Sequence, residues 1–153
     1  MSETSHDDEV SAEKPRPLRV DPADEGAHSP DPDDRLWSES YYADAISDDG
    51  RIGVYARLGD TPNLGVALMS FAIMRPGMPS IILSDPQAPL PVREELTYTV
   101  EAGDYTAIFE TVEPLRTYRV VVDGTAHTYP DPGAILRGEP GRLADRLPDI
   151  TAR

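Results

Sequence analysis

Trp37, Glu39 and Tyr41 alternate along WSESY, and Tyr55 and Arg57 alternate along YAR a few residues later. Successive side chains of a strand point to opposite faces, so each set occupies one face of its own strand. If the two faces coincide, a carboxylate, a guanidinium and two phenols converge on one cavity. Such a group hydrogen-bonds a polar end on a largely apolar ligand, or, with Glu39 as the acid, protonates an alkene. The plainer alternative is a cross-strand ion pair between Glu39 and Arg57 on a solvated face, worth about 1 kcal/mol or less. Spacing alone does not separate the two.

Other chemistry finds little support in the residues. No phosphate-binding glycine loop, dinucleotide fingerprint, zincin pair, nucleophile elbow or EF-hand loop is present, so no cofactor is expected. Cysteine is absent, which excludes disulfides, thiolate nucleophiles and Cys-based metal sites. His6, His28 and His127 are too scattered to supply the converging ligands of a metal centre, so the metal expectation is none. Glu94 and Glu95 are neighbours in sequence and would face opposite ways in a strand. The acidic run Asp31 to Asp34 lacks the spacing of a calcium loop and reads as a solvated linker. Tyr98 and Tyr118 read as core aromatics with satisfied hydroxyls. Asn63, the one asparagine, follows Pro62 in a turn, and turn geometry accounts for it.

The elements that would position these residues are strands. Trp37 to Ser47 leads into the turn signal DDG, and RIGVYARL places Ile52, Val54, Ala56 and Leu58 on one face and Tyr55 with Arg57 on the other. In the connection GDTPN, Gly59 supplies left-handed tolerance and Pro62 a fixed φ, returning the chain into the Leu64 to Met74 strand. Further strands are expected at Ser80 to Ser84, Glu95 to Glu101, Asp104 to Val112, Leu115 to Asp123 and Thr125 to Tyr129, with the proline-rich DPQAPLPV as an interruption. Short strands at this spacing form an all-β antiparallel meander, a sandwich or an up-and-down barrel.

The Leu64 to Met74 strand is apolar on both faces. Leu64, Val66, Leu68, Ala72 and Met74 share one face, and Ala67, Met69, Phe71 and Ile73 the other. Both faces therefore need a cover: strands from the second half folded over as a sandwich, or a second domain or subunit that meets the Ala67 to Ile73 strip. The second option makes this strand a surface for a second barrel domain or for self-association.

Composition sets the outer limits. The first 34 residues carry eleven acidic and three basic residues and no aromatic, which predicts a disordered acidic leader over residues 1–34. The β domain is expected over residues 35–133 and an irregular tail over residues 134–153. A formal net charge of -14 argues against sequence-independent binding to nucleic acid. No apolar stretch is long enough to span a bilayer, and the N-terminus lacks the pattern of a signal peptide, so a cytoplasmic protein is expected. One lysine against thirteen arginines points to a high-GC bacterial coding bias.

LWSESYYAD, the hairpin RIGVYARLGDTPNLGVALMSFAIMRPG and the segment DPGAILRGEPGR together resemble a group of uncharacterised actinobacterial proteins. Those proteins look like members of the two-barrel, lipocalin-like superfamily that contains AttH-type proteins and carotenoid 1,2-hydratases (hydroxyneurosporene synthases). The resemblance implies a lipocalin-like half or single barrel, an apolar ligand of lipid or isoprenoid type, and a second barrel that completes the cavity. It makes three functions available: binding of a hydrophobic small molecule, a hydratase or isomerase acting on a double bond, or a truncated fragment without activity of its own. The tail GRLADRLPDITAR does not alternate as the superfamily pattern would, so the resemblance covers a first domain only.

Overall fold

The computed structural model describes residues 20–131, 133 and 137–143. A 3-10 turn over Pro22–Glu25 precedes ten strands: β1 Glu39–Ile46, β2 Gly53–Thr61, β3 Val66–Met74, β4 Ser80–Ala88, β5 Val92–Glu94, β6 Thr97–Glu101, β7 Tyr105–Glu113, β8 Thr117–Gly124, β9 His127–Tyr129 and β10 Arg142–Leu143. They form two antiparallel sheets, one in the order β1-β2-β3-β4-β9-β10 and one in the order β5-β6-β7-β8. The all-β expectation holds. The architecture is that of an open sandwich, consistent with a lipocalin-like half-barrel, and no ladder closes a barrel among the described residues.

The alternation read from β2 and β3 sets the core. Ala56 and Leu58 point inward from β2, and Ala67, Met69, Phe71 and Ile73 point inward from β3, where they meet Tyr98, Val100, Ala107 and Phe109 of the second sheet. Met69 and Phe109 are fully buried. The strip Ala67 to Ile73, expected to need a second domain or subunit, is thus covered by β6 to β8 of the same chain. The opposite face of β3 is the one that meets solvent, with Leu68 and Met74 exposed.

Three local expectations change. Gly59 lies within β2, paired with Ser40 and Leu68, and the left-handed residue of that connection is Gly65 at φ 73°. The proline-rich segment does not interrupt the sheet at once: β4 runs through Asp85 and Pro86 to Ala88, because a bulge opposite Ala67 to Met69 lets a residue without an N–H sit in the strand. In the tail, Arg142–Leu143 pairs with β9 at the end of the larger sheet.

Residues 21–34, assigned to the leader by composition, make specific contacts with the domain. Asp21 caps the 3-10 turn, accepting from the Ala23 N–H at 3.0 Å. The Asn63 amide donates to the backbone carbonyls of Asp31 and Asp34, at 2.7 and 2.8 Å, so its two N–H groups tie this segment to the β2–β3 connection. Composition draws a boundary at Asp34; the contacts begin earlier in the chain. Residues 1–19 lie outside the described residues.

Candidate functional site

Among the described residues, two polar ties join the sheets. Arg93 of β5 donates to Asp60 of β2 in an ion pair, and Tyr105 of β7 donates its hydroxyl to Asp85 of β4 at 3.0 Å. Asp60 faces inward because the alternation Ala56, Leu58, Asp60 continues through the end of β2, and it is 1 % exposed. Its register partner on β1 is Glu39. Arg93 is the register partner of Tyr98, whose ring stacks on that of Tyr41 with centroids 3.9 Å apart. Glu39, Tyr41, Asp60, Arg93 and Tyr98 therefore form one continuous group spanning β1, β2, β5 and β6.

Several atoms of this group are buried without a hydrogen-bond partner. They are the hydroxyls of Tyr41 and Tyr98 and Oδ1 of Asp60, and the Tyr118 hydroxyl on β8 shares the condition. Each such atom costs about 1–3 kcal/mol unless something bonds it. Burial pushes the Tyr41 phenol far above its ordinary pKa, with Tyr98 adding to the effect. Burial likewise raises Tyr118, reinforced by Tyr98 and by the Glu25 charge. Both phenols thus remain protonated and able to donate.

The group opens to solvent where the sheets part. A cleft of about 550 Å³ lies between β1 and β8, with Glu39, Tyr41 and Ala43 on one wall, Thr111 and Tyr118 on the other, and Asp24 to Gly26 at the rim. Glu39 is fixed there by the leader segment: its carboxylate accepts the His28 backbone N–H and the His28 Nδ1–H, each at 2.8 Å. The contact with Glu39 raises the His28 pKa.

Of the residues proposed from spacing, the structure brings Glu39 and Tyr41 to this cleft and separates the others from them. Tyr55 and Arg57 lie on the outer face of the larger sheet, since Arg57 is in register with Tyr42 and Tyr55 with Asp44. Tyr55 meets Tyr42 edge to face at 5.4 Å, and Arg57 donates to Ser40 Oγ at 3.2 Å. The cross-strand Glu39–Arg57 ion pair is not formed. Trp37 precedes β1, where a turn bonds its N–H to the Asp34 carbonyl. Tyr98 and Tyr118 are inward aromatics as expected, yet their hydroxyls lack the partners assumed for them.

Asp60 and Arg93 were hidden by turn-like surroundings, GDTPN for one and a proline-rich stretch for the other. Extending the β2 alternation by one step would have found Asp60. Nothing in the sequence marks His28, which sits among acidic residues and prolines. Among the described residues no three His, Asp or Glu side chains gather as metal ligands, and no helix is long and apolar enough to cross a membrane.

Neither a curated protein nor a solved structure matches the chain. A family model does match, over residues 21–143, and it is described as a domain of unknown function, DUF7064. The match starts at the N-cap of the 3-10 turn and ends with β10, so it takes in the leader contacts, both sheets and the cleft. On that span, the chain belongs to the DUF7064 family.

Proposed function

We propose that the domain binds a small amphiphilic molecule, a lipid or isoprenoid-type body with one polar end, in the cleft between β1 and β8. The observation that supports this is the set of buried hydroxyls without partners, those of Tyr41, Tyr98 and Tyr118, behind and along an open cleft. Buried polar groups in native proteins are bonded as a rule, and a ligand group entering the cleft supplies the missing partner. The resemblance to uncharacterised actinobacterial proteins that look like members of the AttH and carotenoid 1,2-hydratase superfamily supports the ligand class. A cytoplasmic location belongs to the same reading, as does an association surface on the exposed Leu68 and Met74 side of β3.

A second reading, a hydratase or isomerase with Glu39 as acid, draws support from Glu39 standing at the cleft wall. Both of its oxygens are already engaged by His28, which ties the group to the cleft wall, and binding is the better supported function. Displacement of an apolar fluorescent dye by lipids and isoprenoid alcohols tests the proposal. Displacement that is lost in Tyr118→Phe and Tyr41→Phe supports it, and a folded protein that takes up neither dye nor lipid sinks it. Glu39→Gln separates the two readings, since it would spare binding and abolish turnover in an enzyme.

A further inference from the structure

We infer that the polar end of the ligand is a cation, an alkylammonium group on an apolar body; this rests on the cleft being a binding site. Of the charged side chains lining it, Asp24, Glu25, Glu39, Asp44 and Glu113 are acidic and Arg116 is basic. Arg116 pairs with Glu113 at 3.4 Å, and Arg93, deeper behind Tyr41, is committed to Asp60. A carboxylate or phosphate end would thus enter an acidic rim whose one lining cation is already engaged. A protonated His28 offsets part of the Glu39 charge and leaves Asp24 and Glu25 at the rim to set the sign.

An acidic rim shows only what is repelled. The second observation concerns the phenols: Tyr41 lines the cleft, is 9 % exposed, and has a buried hydroxyl with no partner, and the Tyr118 hydroxyl on the facing wall is in the same state. Phenol oxygens accept from an ammonium N–H, and the aromatic faces attract a cation electrostatically. A neutral alcohol would satisfy the hydroxyls but gain nothing from the rim; an amine gains from both.

The test uses the full chain and a matched series with the same tail: octylamine, octan-1-ol and octanoate, measured by dye displacement at physiological salt. Octylamine is expected to bind most tightly, about fivefold or more over octan-1-ol, as a partly screened interaction with one or two carboxylates gives. Octanoate should bind weakest. Glu25→Gln with Asp24→Asn should bring octylamine close to octan-1-ol, whereas Glu101→Gln, exposed on β6 and outside the cleft, should leave the ratio unchanged. Equal binding of octylamine and octan-1-ol overturns the inference while leaving the binding function standing. An equal loss in Glu101→Gln overturns it too, as adsorption to an acidic surface. Failure of all three compounds to bind overturns the function and the inference together.

Discussion

His28 meets Glu39 twice, through its backbone N–H and through Nδ1, both at 2.8 Å. Together with the Asn63 amide, this contact attaches residues 21–34 to the domain. Removing residues 1–19 should leave the melting temperature unchanged, whereas removing residues 1–34 should lower it by several degrees, on the order of a 1 kcal/mol loss for a domain of this size. Calorimetry on the two truncations decides between a docked and a free segment.

The same contact predicts a pH dependence. The His28 pKa is raised from its ordinary value of 6.5, so the folded state holds a proton that the unfolded chain releases. The contribution is fully present below pH 6.5 and fades as pH rises through the raised value. Limited proteolysis within residues 21–34 should therefore quicken as pH rises above 6.5, and His28→Gln should flatten that change. A wild-type profile as flat as the variant's would show that the Nδ1 proton is not held.

Asp60 and Arg93 form a buried pair, so removing one partner strands the other. Arg93→Met should lose about 3–5 kcal/mol in urea denaturation, and adding Asp60→Leu should recover much of it. A double variant no better than the single one would mean that the tie contributes through shape rather than charge.

Tyr118→Phe removes a hydroxyl that nothing in the protein bonds. Stability should stay level or rise by up to about 1 kcal/mol, while affinity for octylamine falls about fivefold. Stability lost along with affinity would show that an ordered water serves the hydroxyl in the free protein.

On β3, Met69→Lys should unfold the domain because the side chain is fully buried, and Leu68→Lys, one residue away on the outer face, should shift stability by less than about 0.5 kcal/mol. Sedimentation of the Leu68 variant then reports any self-association through that face. Gly124→Ala probes the close approach of two turns: at φ 149° a Cβ there would lie 2.4 Å from the Asp104 carbonyl oxygen, and a loss of more than about 1 kcal/mol is expected.

The fold was legible wherever one face of a strand was wet. The alternation of Ile52 to Leu58 against Tyr55 and Arg57 gave the inner face of β2 correctly, because period-two patterning is a direct print of one-sided burial. Strand β3 was ambiguous: with apolar residues on both faces, only the second sheet's position decides that Met69 is inside and Leu68 outside. The site was legible in half. Glu39 and Tyr41 follow from local parity, but their partners Asp60, Arg93, Tyr98 and His28 come from other parts of the chain, and no local pattern records which distant strand packs opposite. Tyr55 and Arg57 were drawn into the site because parity within a strand says nothing about the relative facing of two strands until the register is known.

The sheets are tied at Asp60–Arg93 and Tyr105–Asp85, and among the described residues no side-chain hydrogen bond joins β1 to β8. These polar ties leave the gap between β1 and β8 unlaced. Widening the gap between β1 and β8 breaks no ladder, and its cost falls on the Tyr41–Tyr98 stack and on half-buried side chains such as those of Tyr118, Val120 and Val122. Tolerance for guests of different girth would then come from the compliance of that gap rather than from a fixed wall. Amide exchange should register it, with β1 and β8 trading their protons for deuterium sooner than β3 and β7.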